Sequence, residues 1–232
     1  MKKLLLSCLF LSATSSYAGI ALEPVQLYIQ DTARQRSTTL SITSTDTDQK
    51  RIFEAHIYKW TQDEKGENVL TEDPSIIINP KSFIIQAQGK QALRIGFKQP
   101  IDSIVPKGQE GTWRLILNEL PQEASPGAKV GFLLNFNMPV FVGAQDGLKL
   151  DTQFKNNTIE IKNLAQSHVQ ISHLQLLDVN KKVVYENKEM KYILANKTGA
   201  YPINMPLNNT QQYSIALQTD KSPEQQILKF NP

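Results

Sequence analysis

Cysteine is almost missing from this chain: Cys8 is the only one. It falls in the segment MKKLLLSCLFLSATSSYAGIALEP, where two lysines precede a short apolar run and Ser16-Tyr17-Ala18 offers a small-residue cleavage site. That pattern predicts a secretory signal peptide over residues 1–18, too short to span a bilayer as a helix. Without it the exported chain has no disulfide and must rest on its own core. No other run approaches the ~20 apolar residues of a membrane span, so no stable membrane insertion is expected. Charge of one sign is missing as well. The formal net charge of +3 falls to about +1 without Lys2 and Lys3, which leaves no field to draw nucleic acid.

Catalytic and metal-binding patterns are also absent. There is no GxSxG, no HExxH and no phosphate-cradling glycine loop, and the mature chain offers no cysteine nucleophile. His56, His168 and His173 are the only histidines. The spacing of His168 and His173 puts them on opposite faces of one strand, which is poor ligand geometry, and they read as strand-surface residues. No catalytic residue, metal site or cofactor is expected, and the chain does not read as an enzyme.

What the sequence has in abundance is short β-rich runs. RIFEAHIYKWT (51–61) alternates, with Ile52, Glu54, His56 and Tyr58 on one side and Phe53, Ala55, Ile57 and Lys59 on the other. SIIINP, SFIIQA, QALRIGF and TWRLILNELP follow in the first half. TIEIKNL, HVQISHLQLLD, KVVYEN and YSIALQT follow in the second, separated by Asp-Gly, Asn-Asn and Asn-Lys turns. No amphipathic helix pattern competes with them. The expected fold is all-β: two sandwiches of about 100 residues each, spanning 19–142 and 143–232. Trp113 is expected in the core, and Trp60, beside the polar turn DEKGEN, at a partly exposed site.

KVGFLLNFNMPVFV (129–142) is too apolar for a half-exposed strand. Val130, Phe132, Leu134 and Phe136 share one face, and only part of the run alternates. Upstream of it lies LRIGFKQPIDSIVPKGQEGTWRLILNELP (93–121), with Arg94, Pro100, Glu110, Trp113 and the Glu119-Leu120-Pro121 ending. These segments, with Met138-Pro139-Val140-Phe141, the opening GIALEPVQLYI and, more loosely, TIEIKNLAQSHVQISHLQLLD, resemble the periplasmic chaperones of chaperone–usher pilus assembly. The resemblance implies two immunoglobulin-like sandwiches in an L-shaped arrangement with a cleft between them. It implies a chaperone that captures pilus subunits by lending an edge strand, a form of β-strand addition, and passes them to an outer-membrane usher. It places the protein in the periplasm. The lent residues would be Val130, Phe132 and Leu134; free, they form an exposed edge that self-association would cap. The competing reading is a structural sandwich protein, a pilus subunit or adhesin. The start of the first strand close to the cleavage site argues against an N-terminal donor extension.

The chain departs from the family pattern at its cations. Alignment puts Gln26 and Leu134 where the arginine and lysine that hold a subunit's terminal carboxylate are expected, and Met138 where an arginine joins an interdomain network with the glutamate matching Glu110. The departures point to a divergent branch, akin to archaic or alternative pili. The carboxylate anchor is therefore expected from other cations, Arg94 and Arg114, since a guanidinium suits bidentate carboxylate binding. Lys98 and Lys129 are weaker candidates beside loops.

Overall fold

The computed structural model describes residues 19–121, 132–207 and 209–231. Among these, every regular element is a strand except two short 3₁₀ turns, at Ile101–Ser103 and Thr210–Gln212. The first half holds β1 (Ile20–Glu23), β2 (Leu27–Ile29), β3 (Ser37–Ser44), β4 (Arg51–Gln62), β5 (Asn68–Glu72), β6 (Ile76–Asn79), β7 (Ser82–Ile85), β8 (Lys90–Phe97), β9 (Glu110–Leu120) and β10 (Asn135–Gly143). The second holds β11 (Leu150–Lys155), β12 (Thr158–Asn163), β13 (Val169–Leu177), β14 (Val183–Asn187), β15 (Lys191–Ile193), β16 (Thr198–Pro202), β17 (Ser214–Thr219) and β18 (Ser222–Lys229).

In the first half, a four-stranded sheet in the order β1-β3-β8-β6 faces a six-stranded one in the order β2-β10-β9-β4-β5, with β7 also on β4. The run IALEPVQLYI is thus split between the two sheets, β1 pairing β3 and β2 pairing β10. In the second half, the sheet β11-β12-β16 faces β14-β13-β17-β18, with β15 on β13. Each pair of sheets encloses its own core. One is built from Ile20 to Val142 and contains Leu40, Phe53, Leu93, Trp113, Leu115 and Val140. The other is built from Ile159 to Phe230 and contains Ile171, Leu174, Ile215 and Leu217. The fold is two immunoglobulin-like β-sandwiches.

Alternation explains how β4 is buried. Phe53 and Ala55 enter the first core, while Glu54, His56 and Tyr58 stay half-exposed on the other face. Trp113 is fully buried, as its strand position predicts. Trp60 is not partly exposed: at 1 % it is as buried as the core. The polar turn beside it gives no hint of this, because its cover comes from the second half. Trp60 packs with Phe141 and Leu194, and with Tyr28 and Tyr192, in a third apolar cluster between the sandwiches.

Candidate functional site: the open edge of β10 and the cleft beside it

β10 is paired to β9 along its whole length, from Asn135 opposite Asn118 to Gly143 opposite Glu110. Among the described residues its other side is covered by β2 alone, at Val140, Phe141 and Val142. Among the described residues, no strand pairs with 135–139 on that side. The backbone N–H of Glu119 donates to the Leu134 carbonyl at 2.9 Å. By the alternation of an antiparallel ladder, Leu134, Phe136 and Met138 therefore turn their peptide groups to β9. Leu133, Asn135 and Asn137 present theirs to the open side, and Pro139 adds a carbonyl but no donor.

The side chains follow the same alternation. Met138, Val140 and Val142 are buried in the first core, and Phe136 and Leu134 pack against its margin. Phe132 shares their parity but lies past the end of the core, 86 % exposed, with Leu133 beside it at 56 %. Leu134 is thus partly engaged with its own sandwich, while Phe132 is free. Val130 lies outside the described residues, as does Lys129.

The start of β10 is fixed by a buried carboxylate. Glu119 accepts the Leu134 N–H at 2.9 Å and two bonds from Arg51 Nη1 at 2.9 and 3.0 Å. Arg51 Nε donates to Asp46 at 2.5 Å. The Asp46 bond, aided by Glu119, raises the Arg51 pKa against the opposing effect of burial. The Glu119 of the Glu-Leu-Pro ending therefore ties the approach to β10 to β9 and β4.

Arg114 points away from the core. On β9, Trp113, Leu115 and Leu117 are core residues, which places Thr112, Arg114, Ile116 and Asn118 on the face toward the second half. Tyr58 of β4 and Pro139 of β10 flank Arg114 in register. Its guanidinium lies 3.7 Å from the ring centroid of Trp60 and 5.1 Å from that of Tyr192 on β15. Trp60 is held in turn by a 2.8 Å bond from Nε1 to Asn68. No carboxylate among the described residues pairs with Arg114. Burial, with no carboxylate beside it, lowers its pKa, but an arginine stays charged throughout the working range. The Trp60 ring meets the guanidinium at 3.7 Å, and the five guanidinium N–H donors are fixed in one plane. This is a half-buried, oriented cation without a counter-ion among the described residues.

Arg94 is placed elsewhere. It is an exposed residue of β8 in the opposite, four-stranded sheet, and its Nε donates to Ser37 Oγ at 2.9 Å. The two arginines expected to share the anchoring role are not brought together. Which sheet a strand joins depends on crossovers that a local pattern does not encode. Lys98 lines a groove between β4 and β6 with Glu54, Glu72 and Asp73, away from Arg114. Gln26, aligned with an expected cation, bridges the two halves: its Nε2 donates to the Tyr192 hydroxyl at 2.8 Å and to Gln170 Oε1 at 3.2 Å.

His168 is not a strand-surface residue. Its side chain is wholly buried, as is that of Glu110 on β9. Its backbone N–H donates to Glu110 Oε1 at 2.9 Å, and its Nδ1 lies 2.8 Å from Oε2. On the other side Nε2 lies 3.2 Å from Asp220 Oδ2, off the line of a good hydrogen bond. The ring stacks on Phe141 of β10, centroids 3.5 Å apart and nearly parallel. An interdomain network therefore exists without the arginine that Met138 replaces. Burial works to raise the Asp220 pKa, but the His168 ring close beside it and the bond from the Gln170 N–H outweigh it and hold it below the usual carboxylate range. His173, by contrast, is half-exposed and pairs with Glu186 at 2.7 Å.

Residues 19–145 match the family described as pili and flagellar-assembly chaperone, PapD N-terminal domain. No curated protein matches the sequence. Among solved structures, a chain of the CsuC–CsuE chaperone–tip adhesion subunit pre-assembly complex, from the archaic chaperone-usher Csu pili of Acinetobacter baumannii, superposes with a TM-score of 0.69. It is 20 % identical, over 92 % of this chain and 98 % of that one. The Pseudomonas aeruginosa CupB2 chaperone gives 0.63 at 15 % identity, over 90 % and 100 %. The E. coli chaperone DraB gives 0.63 at 16 %, over 91 % and 96 %. Since the family match covers more than half of it, the chain belongs to the pilus-assembly chaperones.

Proposed function

We propose that this protein, with one sandwich in 19–142 and the other in 143–232, captures pilus subunits in the periplasm and delivers them to an outer-membrane usher. It lends them the open edge of β10. The observation that carries this reading is the juxtaposition of that edge with Arg114. Leu133, Asn135 and Asn137 offer unpaired peptide groups, and each bond formed contributes about 0.5–1.5 kcal/mol net. Phe132, with Val130 and Leu134, supplies the apolar face, and burying Phe132 in a subunit groove contributes about 1.5–3 kcal/mol. Arg114 receives the subunit's terminal carboxylate. It stands level with Pro139, where the free edge ends against β2. The incoming strand ends there and runs back toward Phe132, so it lies parallel to β10. In the free protein, Phe132 and Leu133 make the same edge prone to self-association, which caps it.

The edge can be blocked without disturbing the fold. Asn137→Pro removes an outward-facing N–H and leaves the β9 ladder intact, as Pro139 already shows for this strand. Recovered from the periplasm of cells making the pilins of its system, the native protein carries a pilin with it. The folded Asn137→Pro protein is expected to carry none. Equal recovery with both would overturn the proposal.

A further inference from the structure

We propose that His168, in the second sandwich, is the positioning residue of the carboxylate anchor in the first. This rests on the reading of Arg114 as that anchor.

Two routes of contact connect them. One is aromatic. His168 stacks on Phe141 at 3.5 Å, and Phe141 packs against Tyr192 and Trp60 at 5.9 and 6.2 Å. Those are the two rings that the Arg114 guanidinium lies against. The other is a run of polar contacts. Asp220, paired with His168 through Oδ2, accepts the Gln170 N–H through Oδ1 at 2.7 Å. Gln170 accepts from Gln26, and Gln26 donates to the Tyr192 hydroxyl. Both routes end on Tyr192. The imidazole thus fixes the ring that, with Trp60, fixes the guanidinium.

The clamp depends on charge. His168 faces Glu110 on β9 and Asp220 in the β17–β18 turn, with the Tyr28 ring of β2 at 6.3 Å and Tyr192 of β15 at 5.8 Å. Lys221 is the nearby cation. It reaches Glu110 only through Gln145, which accepts from Lys221 at 3.1 Å and donates to Glu110 at 2.6 Å. Two carboxylates confront one ring, and only an imidazolium has a donor for each. A neutral ring turns a lone pair toward one of them, and the two sandwiches are then pushed apart at this point.

The test uses the full mature chain and two probes: a synthetic peptide of alternating apolar residues with a free C-terminal carboxylate, and its C-terminal amide. The ratio of their affinities reads the anchor alone. It is expected to be about tenfold or more in the native protein, the range of a charge-assisted bond. His168→Phe keeps a ring against Phe141 and loses both donors, and the ratio is expected to collapse toward one. Asp220→Asn is the second variant, decisive if His168→Phe does not fold, and is expected to lower the ratio severalfold. A native protein that does not distinguish the peptides defeats the anchor reading, and this inference with it. A native protein that does, alongside folded variants with an unchanged ratio, overturns the role of His168 alone.

Discussion

The guanidinium of Arg114 lies 3.7 Å above the ring of Trp60, and the two come from neighbouring strands of one sheet. The stack holds a charged side chain at the seam between the sandwiches, with no acid among the described residues to neutralise it. Arg114→Ala is expected to lower affinity for a carboxylate-terminated subunit by about 10- to 100-fold, the loss of roughly 1.5–3 kcal/mol of charge-assisted bonding. Arg114→Lys keeps the charge but not the planar fork, and is expected to recover only part of it. Urea midpoints should move little, because the cation–π contact itself contributes only about 0.5–2 kcal/mol. Titration of a labelled subunit peptide into each folded variant checks this. Native affinity in Arg114→Ala would remove Arg114 from the site.

Arg51 is the partner that makes Glu119 tolerable. Glu119 has a side chain only 6 % exposed and binds both Arg51 and the Leu134 N–H. Arg51→Met leaves that carboxylate buried without its cation, a change that typically costs about 3–5 kcal/mol. Urea unfolding is expected to show a loss of that size. The double variant Arg51→Met with Glu119→Leu should recover much of it, since removing both charges avoids the uncompensated one. If the single variant unfolds at the native midpoint, the pair is not structural.

Much of this architecture can be read from alternation. The faces of β4 and the burial of Trp113 follow from residue parity within one strand. What cannot be read that way is long-range. His168 is five residues from His173, but a β-bulge between Ile171 and His173 moves the core positions from Val169 and Ile171 to Leu174 and Leu176, so the spacing does not set the two on opposite faces; the burial of His168 comes from Glu110, 58 positions away. Trp60 is covered by Leu194 and Tyr192, which no property of its own strand announces. Arg94 and Arg114 both stand in strands of the first sandwich, and only the pairing of β8 with β3 and β6 reveals that they lie on opposite sheets. A local signal gives the face of a residue; depth and sheet membership come from the rest of the chain.

Asp73 and Asp220 shape the acid limb of stability. Burial acts to raise the Asp73 pKa, but bonds from Ser75 O–H and N–H and from Trp113 Nε1, together with Lys59, outweigh it and hold it low. Asp220 is likewise depressed. A carboxylate with a lowered folded pKa stabilises fully above its unfolded value of about 3.9 and loses that contribution as pH falls toward the folded value. Urea midpoints are therefore expected to be flat from about pH 7 to 5 and to drop below about pH 4. Asp73→Asn should make that drop shallower, because one of the two groups no longer takes up a proton on unfolding. An acid limb of unchanged slope in Asp73→Asn would contradict the assignment.

Gln62 couples the two sandwiches through the backbone. Its side chain, at the end of β4, donates to the Tyr192 carbonyl at 2.8 Å and accepts the Leu194 N–H at 2.9 Å. Gln62 itself is 4 % exposed, so neither backbone group has water to turn to if the amide is lost. Gln62→Leu fills the space and removes both partners, at about 1–3 kcal/mol for each group left unsatisfied. Because Tyr192 is also a ring partner of Arg114, the loss is expected in two readouts at once. Calorimetry should show the second sandwich melting earlier and apart from the first, where the native protein melts in one transition. The affinity for a carboxylate-terminated peptide should fall several-fold although Gln62 touches no part of the open edge. A single transition at the native temperature with undiminished affinity would mean that the two halves are held together without this bridge.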